Sequence, residues 1–313
     1  MKLNNRITQM FGVQYPIVQA PMGWIARAQL ASAMSNAGAL GMIETSSGET
    51  ETIKTEIGKM RELTNKPFCV NIAQAFLKDS SIIDMVIKQG VKTVTTSAGD
   101  PRKFTQLLKD AGLTVFHVVP SLDAALKAVD AGVDGLVVEG GEGGGFKNPK
   151  DVSTMVLVPL VRSAVDVPII AAGGICDGAS MAAAFALGAE GVQMGTRMVS
   201  ALESPVHNNW KQAIVDANDT ATVMLNRHKG PALRALSTKT TDALLDPNAN
   251  PMQVLGGGVK QVYFDGDLEA GIALTGQVAG RIDEVLPVNT IVEKTMSDFR
   301  QTLVKIEAQI VTI

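Results

Sequence analysis

Two short apolar runs end abruptly in glycine, and together they have the composition of an anion site. The first is Ile169-Ile170-Ala171-Ala172-Gly173-Gly174 and the second Val192-Gln193-Met194-Gly195-Thr196, with a helix-like stretch from Ala179 to Leu187 between them. An apolar run of this length bounded by glycine reads as a strand buried on both faces of a parallel sheet. Glycine at the strand's carboxyl end lets backbone N–H groups approach a ligand with no Cβ in the way. Two such ends side by side, each leading towards a helix start, would converge several N–H donors and a positive helix end on one phosphate. A third stretch, Glu139-Gly140-Gly141-Glu142-Gly143-Gly144-Gly145-Phe146, is glycine at five of six consecutive positions, so its backbone can lie flat against a planar ligand.

Competing chemistries fail on particular residues. Gly173 and Gly178 have the spacing of a P-loop's glycines, but Ala179 stands where lysine is required. The Gly141–Phe146 run misses the dinucleotide pattern because Phe146 replaces its third glycine and the run does not follow the first strand. His117, His207 and His228 are scattered, so no metal site is expected. No Gly-x-Ser-x-Gly elbow occurs.

The elements that must position these loops are marked by a recurring phrase. Gly38, Gly90, Gly112, Gly132 and Gly188 each close an amphipathic helical stretch and open a strand-like run, as a left-handed C-terminal glycine does. Pro67 and Pro168 fill two further junctions, where proline stops a helix. Seven junctions imply eight strands, near 15–19, 40–43, 68–72, 93–96, 115–118, 135–138, 169–171 and 192–194. Strand–helix–strand units at intervals of roughly 20–35 residues require right-handed parallel crossovers. Eight of them favour a closed (β/α)8 TIM barrel over an open doubly wound sheet, in the α/β class. The rhythm stops after Thr196. Residues 197–260 read as a small helical cap or substrate domain inserted after the last barrel strand, and residues 1–196 with 261–313 as the barrel. Two closing helices are expected, near 269–285 and 290–308.

Bulk composition sets limits on partners. Hydrophobic content is 46%, charged content 19% and net charge −3, so no basic face for nucleic acid is indicated. Cys69 and Cys176 both fall in apolar runs, which argues against a disulfide framework. The polar amino terminus lacks a signal-peptide run and no apolar stretch reaches about 18 residues, so a cytoplasmic protein without a membrane span is expected.

Barrel chemistry sits at the carboxyl ends of strands. Those ends are Gln19-Ala20-Pro21-Met22, Asn71, Ser97, Val118-Val119-Pro120 and Glu139 onward, followed by the two glycine loops. A phosphate site after the last two strands, beside a glycine-lined flat space, fits flavin mononucleotide (FMN) with its ring over the barrel mouth.

Gln19-Ala20-Pro21-Met22, Val70-Asn71, Glu139 to Gly145, Ala171 to Ile175 and Gln193-Met194-Gly195-Thr196-Arg197 together resemble the nitronate monooxygenases, formerly 2-nitropropane dioxygenases. They are similar also to the flavin enoyl-acyl-carrier-protein reductases. Glu203 to His207 and Ala273 to Gly280 extend the resemblance over nearly the whole chain. It implies phosphate contacts at Gly173, Gly174, Gly195 and Thr196. Ring or ribityl contacts are implied at Ala20, Pro21, Met22, Asn71, Glu139, Gly145, Gln193 and Met194, with Gly144 and Ala172 beside them.

One departure bears on the reaction. Both branches usually carry a histidine after the Gly-Gly of the strand-six loop, and here that place is Phe146. In the monooxygenases this histidine takes a proton from a neutral nitroalkane, and a general base is worth about 10²–10⁴-fold. Phenylalanine accepts no proton, so neutral nitroalkanes are expected to be poor substrates and alkyl nitronates, already anionic, better ones. Glu142 and His207 are the substitutes to inspect, although loop-shaping or structural roles suit both. The expected reaction is oxidation of an alkyl nitronate by dioxygen to a carbonyl compound and nitrite. An NAD(P)H-dependent flavin reductase of the enoyl-acyl-carrier-protein or quinone type, and a non-catalytic flavin-binding protein, remain the alternatives. Oligomeric state is left open, with a homodimer as the option to test.

Overall fold

The five glycines expected to end helices do so in the left-handed region: φ is +84° at Gly38, +65° at Gly90, +79° at Gly112, +84° at Gly132 and +100° at Gly188. Each is followed by a strand of the barrel. A computed structural model describes residues 3–77 and 80–310; Met1, Lys2 and residues 311–313, at the outer ends of the expected barrel unit, lie outside the described residues. The strands are β1 (Ile17–Gln19), β2 (Gly41–Ile43), β3 (Phe68–Ala73), β4 (Thr93–Ser97), β5 (Thr114–Val119), β6 (Gly135–Glu139), β7 (Gly145–Lys147), β8 (Ile169–Ala172), β9 (Gly191–Met194), β10 (Thr222–Leu225) and β11 (Ala232–Leu236).

Eight of these, all but β7, β10 and β11, form one parallel sheet in the order β1-β9-β8-β6-β5-β4-β3-β2. Leu40 closes it into a barrel. Its N–H donates to Ile17 O at 2.9 Å and its carbonyl accepts from Gln19 N at 3.0 Å, so β2 meets β1. Inside, Val18, Met42, Cys69, Phe116, Val137, Ile170 and Ala172 form one buried cluster with Ile7 and Phe11 of the helix Arg6–Phe11. That helix therefore plugs the amino-terminal end, and Phe11 stacks on Phe116 at 4.8 Å. Gly135 is required by this packing, since a Cβ there would lie 2.2 Å from the Phe116 ring. The Cys69 thiol, buried in the same cluster, is pushed up to about 12 by desolvation and is unreactive there.

Outward-facing strand residues such as Ile17, Val70, Val94, Val115 and Val192 pack with the helices in the larger cluster. The final helix, Val288–Glu307, lies against Gly178–Ala186; a Cβ at Gly178 would come 2.1 Å from Phe299 N, and Phe185 meets Phe299 at 5.1 Å.

Two expectations need correction. The segment after β9 is not helical throughout: β10 and β11 form an antiparallel hairpin, and β11 also pairs with β7, so this segment and the strand-six loop share one three-stranded sheet. Residues 269–285 contain no α-helix, only the 3-10 turn Gln277–Arg281. Long-range contacts override periodicity there. Leu236 N donates to Ala273 O, Trp210 Nε1 donates to Thr275 Oγ1 at 3.1 Å, and Gly271 and Gly276 sit against other backbone where a side chain would collide. No helix among the described residues is long and apolar enough to cross a membrane.

Candidate functional site

Side-chain alternation decides which strand residues reach the barrel mouth. Two residues beyond the interior positions Val18, Cys69, Val137, Ile170 and Gly191 come Ala20, Asn71, Glu139, Ala172 and Gln193. All five line a single cavity of about 1050 Å³ at the carboxyl ends of the strands. Pro21, Met22, Gly144, Gly145, Gly173, Gly174, Gly195 and Thr196 line the same cavity. Met194 does not; it is fully buried on the helix side of β9, and its carbonyl accepts from Ala20 N at 2.9 Å.

The polar groups of this layer are held by their neighbours. Asn71 Nδ2 donates to Thr95 Oγ1 at 2.8 Å, and its Oδ1 accepts from Ser97 Oγ at 3.3 Å. Gln193 is 6% exposed, yet its Oε1 has no partner among the described residues. A buried polar atom left unpaired is rare in native proteins and marks a place where a ligand or water is due.

Gly173 and Gly174 adopt φ of +86° and +77°, which turns their N–H groups out of the strand direction after β8. Gly195 and Thr196 form the matching end after β9, and Thr196 Oγ1 accepts from Gly276 N at 2.8 Å. The helix that follows β8 contributes less than expected. Asp177 caps it by accepting from Ser180 N at 2.8 Å, so that end already holds a carboxylate.

The glycine-rich loop after β6 is clamped at several points. Glu142 accepts from Thr154 N at 2.9 Å and from Thr154 Oγ1 at 2.9 Å. Its own carbonyl accepts from Gln277 N, and Arg234 Nε donates to Gly141 O at 2.8 Å. Glu142 is thus a loop anchor at the cavity wall, its carboxylate engaged. A Cβ at Gly144 would lie 2.8 Å from Gly276 N, so two backbones touch here and glycine is obligatory. Phe146, on β7, faces Leu233 across the small sheet, meets Phe76 edge-on at 5.3 Å, and lines the cavity.

His207 lies outside the cavity wall and caps the helix Asn208–Val215 through Nδ1, which accepts from Asn209 N at 3.1 Å. His117 is buried and lines the cavity. It shares the outward face of β5 with Val115 and Val119, and its Nδ1 is 2.6 Å from Thr96 Oγ1. Burial pushes its imidazole down to about 4, against the opposing pull of Asp100 and a Gly99 backbone group, so it is neutral at pH 7.

Sequence reasoning missed Lys147. Its side chain is 5% exposed and its Nζ lies 2.6 Å from Glu139 Oε1 and 3.1 Å from Phe146 O, at the cavity edge. The available signal was a lysine two residues after the glycine run, where alternation turns it opposite to Phe146. Also missed was an aromatic wall in which Trp24 meets Tyr263 at 6.4 Å and Tyr263 meets Trp210 at 4.7 Å. No group of three or more His, Cys, Asp or Glu able to hold a metal occurs among the described residues.

Comparison with known proteins agrees with this geometry. FabK from Thermotoga maritima superposes with a TM-score of 0.94 at 39% identity, over 98% of this chain and 100% of that one. A nitroalkane oxidase from Streptomyces ansochromogenes shares the fold, with a TM-score of 0.83 at 23% identity over 96% of this chain and 100% of that one. A (3aS,4S,5R,7aS)-5-hydroxy-7a-methyl-1-oxo-octahydro-1H-indene-4-carboxyl-CoA dehydrogenase of Mycobacterium tuberculosis is 30% identical over 95% of this chain and 96% of its own. A probable nitronate monooxygenase of Staphylococcus aureus is 29% identical over 96% and 98%. The nitronate monooxygenase family model matches residues 4–81 and 74–298. With a TIM barrel, a glycine cradle and a mouth lined as described, the chain belongs to the nitronate monooxygenase family of flavin-dependent oxidoreductases.

Proposed function

We propose that the cavity binds FMN and that the chain oxidises alkyl nitronates with dioxygen, releasing a carbonyl compound and nitrite. The observation that carries this reading is the pair of glycine ends, Gly173–Gly174 and Gly195–Thr196, on the wall of one cavity beside Gln193, whose buried Oε1 is unpaired among the described residues. One glycine cradle at the wall of a barrel-mouth cavity of this volume fits a mononucleotide flavin. Gly173, Gly174, Gly195 and Thr196 would hold its phosphate. Ala20, Pro21, Met22, Asn71, Glu139, Gly144, Gly145, Ala172 and Gln193 would border its ribityl chain and ring. Bound there, FMN would supply the one-electron acceptor that the substrate reduces and dioxygen restores.

The chain's own residues set what the substrate must bring. Phe146 and Phe76 present rings where a base would otherwise stand, excluding water and accepting no proton. Glu142 is engaged by Thr154, and His207 lies away from the cavity. A nitronate needs no deprotonation, which suits this wall. We assign residues 1–196 and 261–313 to the flavin-binding barrel and 197–260 to a cap over the substrate, with the β10–β11 hairpin joining cap to loop.

A second reading, an NAD(P)H-dependent flavin reductase or dehydrogenase acting on a thioester or quinone, is favoured by the 39% identity with FabK and the 30% identity with the CoA-thioester dehydrogenase. One experiment separates the two. The flavin absorption of the purified protein is recorded without oxygen, before and after propyl nitronate or NADH. Bleaching by nitronate alone supports the oxidation. Bleaching by NADH alone moves the chain to the reductases, and a coloured protein bleached by neither supports a non-catalytic flavin protein. A colourless protein that takes up no added FMN refutes the site itself.

A further inference from the structure

The helix Pro251–Lys260 turns Met252, Leu255, Gly256 and Val259 to the cavity. The spacing i, i+3, i+4, i+7 is one face of a helix, and an apolar face of that kind ordinarily packs on protein. Here Met252 is still 36% exposed. Phe146 and Leu274, both apolar, line the same cavity, and with Leu255 they pack against the cluster of Leu225, Leu233, Ala235 and Ile272. Gly256 is the informative member. A Cβ added there would meet nothing within 4 Å, and its φ is not in the left-handed region, so neither packing nor backbone calls for glycine. Glycine also weakens a helix interior. What it leaves is room on the cavity side.

We infer that this helix face, together with Phe146 and Leu274, forms an apolar arm for the hydrocarbon part of the substrate, with Gly256 setting the length admitted. The preferred substrates are then nitronates with chains well beyond propyl. A cavity of about 1050 Å³ is at the upper end for a single ligand, leaving space for a chain beside a mononucleotide. None of the six lining residues named is charged, so a charged tail would lose its hydration there without compensation. The inference rests on the nitronate reading above.

The test is a chain-length series on the FMN-loaded protein: kcat/KM for propyl, butyl, hexyl and octyl nitronate, in the native chain and in G256L. Burying each methylene should raise kcat/KM about fourfold until the arm is full. In G256L, with leucine filling the arm, the octyl-to-propyl ratio should fall about tenfold or more. A flat series in the native chain, or an unchanged ratio in a folded G256L protein, overturns the arm. Binding of 1-butanol, 1-hexanol and 1-octanol, read as perturbation of the flavin spectrum, separates the arm from the reaction. If no nitronate is oxidised but alkanol affinity rises about fourfold per methylene, the arm stands and the nitronate reading falls. If alkanol affinity is flat as well, the arm falls too. Should G256L fail to fold, the two native series decide alone.

Discussion

Lys147 Nζ lies 2.6 Å from Glu139 Oε1, joining the end of barrel strand β6 to the first strand of the small outer sheet at the cavity edge. The pair is lopsided: the lysine side chain is 5% exposed and the glutamate 26%. Removing one partner of a buried pair leaves the other desolvated without compensation, at about 3–5 kcal/mol. Glu139→Gln strands the more buried charge and should sit in that range. Lys147→Met leaves a carboxylate that the cavity still partly hydrates, and should cost about half as much. The double variant should lose less than the sum by about 0.5–3 kcal/mol. Urea unfolding of the three variants checks the order; equal losses would show that the exposure difference is immaterial.

Phe146→His places an imidazole on β7 at the cavity wall, beside Phe76. Since the present ring accepts no proton, the substitution should raise turnover of a neutral nitroalkane by about 10²–10⁴-fold. Turnover of the corresponding nitronate should change far less. Steady-state oxygen consumption with both forms of one substrate measures this. No gain on the neutral form would mean that the missing base is not what limits it.

Gln193→Leu removes the unpaired amide oxygen. Before FMN binds, the protein should become more stable by about 1–3 kcal/mol, because a buried acceptor without a donor disappears. FMN affinity should fall about tenfold, the worth of one good hydrogen bond. Thermal melting of flavin-free protein and FMN titration give the two numbers. Loss of both would instead point to leucine disturbing the wall.

The barrel was legible because its signals are local. Each expected strand lies within about two residues of its observed place, and helix-ending glycines such as Gly112 and Gly188 act through their own φ. Asn71 and Gln193 could be singled out because period-two alternation carries barrel-interior positions to the mouth. The failures are non-local. Met194 differs from Gln193 by one residue and therefore faces the helices, which the motif alone does not distinguish. The hairpin of β10 and β11 depends on pairing with β7, nearly ninety residues earlier, since Arg234 pairs with Gly145 across the sheet. The helix expected at 269–285 yields to contacts such as Trp210 with Thr275. Lys147 gained meaning only when Glu139 was found beside it.

His117 gives the fold a pH dependence whose sign can be worked out. Burial lowers its pKa from the usual 6.5 to about 4, with Asp100 opposing the shift. In the unfolded chain the ring binds a proton near pH 6.5, while the folded protein resists it until about pH 4. The unfolded state therefore binds more protons between these values. The contribution is fully present above pH 6.5 and is lost progressively as pH falls to about 4, reaching on the order of 3 kcal/mol. His117→Gln, which keeps a polar group near Thr96 Oγ1 without titrating, should flatten the stability profile across that window by the same amount. Urea midpoints at pH 7 and pH 4.5 for the two proteins measure it. An unaltered slope in the variant would assign the acid sensitivity to carboxylates, whose titration continues below pH 4.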